Sequence, residues 1–91
     1  MQFSDPGAAE SAFYDAFQSM DIDKMRQVWA DSVNTSCIHP GGQLLQGTEA
    51  VVASWSSIFR ESQPPQISYR VIQTRIDERL AVHTVEETVV L

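Results

Sequence analysis

The chain has 91 residues, 43% of them hydrophobic, with a formal charge of −6 from twelve acidic and six basic residues. That is enough apolar material for one small globule over residues 1–91, and it excludes wholesale disorder. The acidic balance disfavours a phosphate backbone or an anionic membrane surface, so neither nucleic acid nor membrane is expected as a partner. Cys37 is the only cysteine, which excludes an intrachain disulfide. No apolar run approaches the roughly 20 residues of a membrane span. The start Met1-Gln2-Phe3-Ser4-Asp5 lacks the basic region of a signal peptide. The expected location is the cytoplasm.

Ser4-Asp5-Pro6 signals a helix start, a capping oxygen followed by a proline whose missing N–H costs nothing in the first turn. Ala9, Phe13, Ala16, Phe17 and Met20 then recur at three- and four-residue spacing, the stripe of an amphipathic helix. Asp21 caps a second helix whose apolar side is Ile22, Met25, Val28 and Trp29. The two meet at Ser19-Met20-Asp21 in a tight corner. Val33 to His39 reads as a strand ending at Pro40, which cannot donate to a ladder. Gly41-Gly42 supplies a turn, and Leu44-Leu45 a brief second strand. Gly47-Thr48 opens a third helix with Val51, Val52, Trp55, Ile58 and Phe59 as its buried stripe, stopped by Gln63-Pro64-Pro65. Glu49 suits its positive end.

Ile67, Tyr69 and Val71 alternate with Ser68 and Arg70, the period of a half-buried strand. The phase slips at Ile72, so a β-bulge is expected near Val71-Ile72. The long strands are predicted as Gln66–Ile76 and Leu80–Leu91, joined by the polar loop Asp77–Arg79. The chain ends at Val89-Val90-Leu91 within a strand. An apolar strand left as an edge invites a second chain to pair with it, and a homodimer through the sheet face or the last strand is expected.

These elements, in this order, resemble the nuclear transport factor 2-like superfamily, and most of all its SnoaL-like and ketosteroid isomerase-like branch. The matching residues are Phe13-Tyr14-x-Ala16-Phe17, Asp21-Ile22-Asp23, Val28-Trp29-Ala30-Asp31, His39-Pro40-Gly41, Gly47-Thr48-Glu49-Ala50, Trp55 and Ala81-Val82-His83-Thr84-Val85-Glu86-Glu87. The resemblance implies an α+β fold in which a curved, mostly antiparallel sheet wraps three helices into a cone. Two further strands of the family pattern are missing here, so the sheet is expected to be incomplete at its C-terminal end. It also implies a small, often apolar ligand in the mouth of the cone, and it embraces enzymes and association domains alike. The isomerase residues do not carry over. The general-base position before the proline is His39, the oxyanion-stabilising tyrosine falls at Phe13, and Tyr14 points about 100° away on the helix.

Alternation puts His83, Val85 and Glu87 on one face of the last strand, which the resemblance makes the cavity face. With His39 pointing into the same cavity, three polar groups would converge in an apolar pocket, the usual form of a small-molecule site. His39, Glu87 and His83 are therefore the candidate catalytic residues. Phe13, Phe17, Trp29, Trp55, Phe59, Tyr69 and Val85 are the candidate pocket wall. A small apolar molecule is the expected partner, and no cofactor or metal is called for, since the spacing of two His and one Glu matches no metal motif. Plainer roles compete. His39 would serve equally to bond the backbone of its own turn, and the opposite strand register would turn Glu86 inward. Glu10, Asp15 and Asp23 read as solvated helix faces and Cys37 as a small buried hydrophobe. Three functions follow: a small-molecule-binding domain, an acid–base enzyme of isomerase, cyclase or dehydratase type using His39, and an association module.

Overall fold

The structure, a computed structural model, describes residues 5–90 and runs α1 (Pro6–Ser19), α2 (Ile22–Val28), β1 (Ser36–Cys37), β2 (Leu45–Gln46), α3 (Thr48–Glu61), β3 (Gln66–Ile76) and β4 (Ala81–Val90). Ser4 of the helix-start signal and Leu91 of the last strand lie outside the described residues. Asp5 starts α1 by accepting the Ala8 N–H at 2.7 Å on its carboxylate, with Pro6 in the first turn. Met20 ends it in the left-handed conformation at φ 53° and bonds back to the carbonyls of Ala16 and Phe17. Asp21 then caps α2 by accepting the N–H groups of Asp23 and Lys24 at 3.0 and 3.1 Å. One left-handed residue therefore turns the chain between two capped helices.

Gly47 precedes α3 at φ +88°, a backbone conformation in which glycine is unpenalised. Thr48, 8% exposed, has its hydroxyl on the Ala30 carbonyl and accepts from the Ser32 N–H at 2.9 Å. These bonds anchor the segment after α2 to the start of α3. The core lies between the helices, where Ala16, Met25 and Val51 are fully buried and Trp55 is 4% exposed. Phe13 and Phe17 of α1 and Ile58 and Phe59 of α3 pack against them.

The α+β architecture of three helices with antiparallel strands is as expected, and the sheet is incomplete. Among the described residues there are two separate two-stranded antiparallel ladders, β1–β2 and β3–β4. The first strand does not run from Val33 to His39. Asn34 and Thr35 turn back onto Ser32 through N–H bonds of 3.0 and 3.4 Å, leaving Val33 exposed. At the other end the Gly42 N–H closes a turn onto the His39 carbonyl at 2.8 Å, around Pro40. Only Ser36–Cys37 remains in the ladder, facing Leu45–Gln46 rather than Leu44–Leu45.

β3 and β4 match their expected bounds closely. Ile72 bulges between the pairs Val71↔Val85 and Gln73↔Thr84, and the Asp77 N–H closes the connection on the Leu80 carbonyl at 2.7 Å. Tyr69, Val71 and Thr74 stand opposite Glu87, Val85 and His83. The face carrying Tyr69, His83 and Glu87 packs on α1, since Tyr14 stacks on Tyr69 with ring centroids 4.0 Å apart. Arg70 and Glu86 form an exposed pair at 3.3 Å on the other face, so Glu86 is not the inward acid.

Candidate functional site

A cleft of about 640 Å³ opens between the helices and the end of β4. α1 contributes Phe13 and Phe17, the end of α2 Trp29, and α3 Trp55 and Ile58. The opposite wall is Cys37, Ile38, His39 and Pro40 from β1 and its turn, with Glu87 and Val89 from β4. The aromatic side is a set of edge-to-face contacts centred on Phe13, whose ring lies 5.5 Å from Trp55 and 6.2 Å from Trp29. The periodic placement of these rings on α1 and α3 makes one layer serve both as core and as wall.

His39 is half-buried and sits edge-on to Trp55, with centroids 4.8 Å apart. Its Nε2 lies 2.9 Å from Ser54 Oγ and 3.9 Å from Cys37 Sγ. Ser54 in turn donates its hydroxyl proton to the Val51 carbonyl at 2.6 Å within α3. The imidazole is therefore held by a helix side chain, and the turn backbone bonds only through the His39 carbonyl. Burial pushes the Cys37 thiol above its ordinary value, so the thiolate is disfavoured.

Glu87 meets the cleft from the other side and accepts the Tyr14 hydroxyl proton at 2.7 Å. Tyr14 is only 6% exposed. Its burial, then the bond to Glu87 and the carboxylate's charge, drive the phenol well above its usual range. Tyr14 is a donor held against ionisation, and it fixes the carboxylate of Glu87.

The structure brings His39 and Glu87 to one cleft and leaves His83 out of it. His83 Nδ1 donates instead to Glu10 at 3.0 Å, in a pair whose side chains are 17% and 14% exposed. Glu10 is thus no solvated helix residue; it is drawn inward because a buried imidazole N–H requires an acceptor. Tyr69 and Val85 also lie off the cleft wall, because the α1 residues Tyr14 and Glu10 occupy the space above that part of the ladder. Phe59 faces a smaller neighbouring hollow with Phe17, Met20 and Ile58. Asp15 and Asp23 are exposed as expected, Asp15 pairing with Lys24 at 3.2 Å.

Three contributing residues escaped the sequence reading: Tyr14, Ser54 and Glu10. Glu10 and Tyr14 share the i, i+4 spacing of one flank of α1, and His83 and Glu87 share the inner face of β4. That pairing of flank with face is the signal that was available. Among the described residues no group of three or more His, Cys, Asp or Glu side chains is placed to hold a metal ion. No helix among them is long and apolar enough to cross a membrane.

Comparison with known proteins agrees with this architecture. A Thiobacillus denitrificans chain provisionally named a calcium/calmodulin-dependent protein kinase type II association domain superposes with a TM-score of 0.93 at 32% identity, over 98% of this chain and 71% of that one. A proposed dehydratase of the NTF2-like family from Streptomyces avermitilis superposes with a TM-score of 0.82 at 26% identity, over 91% and 63%. The F-box protein SKIP8 of Arabidopsis thaliana is 26% identical over 69 residues, which is 76% of this chain. The chain spans about 30% of that protein's length. The SnoaL-like domain family matches residues 8–91, and the chain belongs to it.

Proposed function

We propose that this chain is a small-molecule-binding domain whose ligand lies in the cleft between Phe13, Phe17 and Trp55 on one side and His39 and Glu87 on the other. One observation carries the reading. A cleft of about 640 Å³ walled largely by aromatic and aliphatic side chains, with an imidazole and a carboxylate among them, has the size and composition of a ligand site. The test is saturable uptake of the neutral fluorophore N-phenylnaphthylamine. Phe17→Ala and Ile58→Ala should each weaken it severalfold while the circular dichroism spectrum is retained. Absence of uptake by the wild-type protein overturns the reading.

Should the cleft host a reaction, His39 is its proton acceptor and Glu87, held by Tyr14, its electrostatic partner; His83, engaged by Glu10, takes no part. A pH–rate profile altered by His39→Ala is the test of that role. A second reading is favoured by the β3–β4 ladder. Ile72, Val82 and Val90 are 57%, 49% and 56% exposed on it, and its outer edges meet no other strand among the described residues. We propose that this surface holds two copies of the chain together, as the name of the Thiobacillus chain also suggests. Sedimentation equilibrium giving a monomer throughout overturns it. The lone cysteine and the charge of −6 favour the cytoplasm and a partner other than nucleic acid or membrane.

A further inference from the structure

The polar groups on the cleft wall share one hydrogen-bonding sense. Ser54 carries a single hydroxyl proton, and that proton is donated to the Val51 carbonyl at 2.6 Å. Towards His39 Nε2, 2.9 Å away, the same oxygen must accept, which places a proton on Nε2. In the neutral ring Nδ1 is then a bare acceptor, and among the described residues it has no partner. Glu87 repeats the pattern. Tyr14 donates to Oε2 at 2.7 Å, and Oε1 is left as an acceptor carrying negative charge.

The donors on the same wall are spent or covered. Trp29 Nε1–H is directed at Met25 Sδ, 3.4 Å away. Trp55 Nε1–H is sealed within the protein and presents no surface to the cleft. The Ser54 proton is already used. A ligand carboxylate would therefore meet two acceptors, one of them anionic, and no strong side-chain donor. An ammonium group would meet the reverse, beside aromatic rings whose faces attract a cation.

We infer that the cleft selects an apolar molecule presenting hydrogen-bond donors, an alkyl- or arylammonium above all, and discriminates against the carboxylate of the same skeleton. The inference rests on the small-molecule reading above and gives it a substrate class.

The experiment compares adamantylmethylamine, adamantylmethanol and adamantanecarboxylate by quenching of Trp29 and Trp55, the two tryptophans of the chain, at about pH 8 and physiological salt. The amine should bind about tenfold more tightly than the alcohol, and the carboxylate most weakly. Glu87→Gln, which keeps an acceptor for Tyr14, should cut the amine's advantage to about threefold or less. Glu86→Gln, on the opposite face of β4, should leave it intact and thereby separates a local carboxylate from the general negative charge. If the carboxylate binds as tightly as the amine, or Glu86→Gln erodes the preference as much as Glu87→Gln, the inference is overturned while the cleft stands as a site. The same holds if N-phenylnaphthylamine enters and none of the adamantanes does. If no probe of either kind enters, the small-molecule reading itself falls, and this inference with it.

Discussion

Tyr14→Phe removes one oxygen and tests the bond that joins α1 to β4. The ring stays stacked on Tyr69 at 4.0 Å, so the change isolates the hydroxyl donated to Glu87 at 2.7 Å. A hydrogen bond to a charged group is worth roughly 1.5–3 kcal/mol net. Glu87 is an exposed residue, so water replaces part of the lost donor and the cost should fall at about 1–1.5 kcal/mol. In a domain of this size that is a drop of about 4–8 °C in Tm per kcal/mol. The pH dependence carries a second signature. Burial and the carboxylate raise the folded phenol above its unfolded value of about 10. The stabilisation is therefore complete below about pH 10 and declines above it, as the unfolded phenol ionises and the folded one does not. Urea unfolding of both proteins at about pH 8, and again above about pH 10, should show the difference between them shrinking at the higher pH. A variant as stable as the wild type at the lower pH, or a difference that grows with pH, refutes the reasoning.

Met25→Ala should cost about 2–5 kcal/mol in urea unfolding, since the side chain is fully buried between α1 and α3 and its loss leaves a cavity. Gly47→Ala should cost about 1–2 kcal/mol on the same scale. The added Cβ meets nothing within 4 Å, so φ +88° is the whole penalty. Cys37 should alkylate more slowly than a free thiol at neutral pH and gain rate as pH rises, because burial raises its pKa. Mass spectrometry of iodoacetamide-treated protein checks this, and an occupied cleft should slow the reaction further.

What could be read from the sequence divides along physical lines. Local rules placed the elements: Asp5 and Asp21 cap where their oxygens reach an N–H two or three residues on, and the alternation from Ile67 broke at the residue that bulges. The α+β class and its family followed from the order of these elements. The first strand was misjudged because β-branched residues at Val33 and Thr35 outweighed the turn that Ser32 and Asn34 build by side-chain bonding. The polar partners were the larger omission. Glu10 and His83, like Tyr14 and Glu87, are separated by 73 positions. A charged residue flanking an apolar stripe looks solvated until the fold brings its counterpart opposite. His39 was recognised from its place at the end of a strand, whereas Ser54, one of several serines on α3, carried no mark of its task.

The bulge at Ile72 has a consequence for length variation in this chain. Before it, odd-numbered residues of β3 share the face of Tyr69; after it, even-numbered residues such as Thr74 do. Removing Ile72 would join Val71 directly to Gln73, and every side chain on both sides would keep its face and its cross-strand neighbour. The ladder would lose a bend and nothing else in its pairing. Removing a residue far from the bulge would leave the stretch between the deletion and the bulge with its faces exchanged or its partners shifted. The bulge around Ile72 is thus where the long hairpin can be shortened by a residue without being rewritten, and where curvature is adjustable independently of partnership.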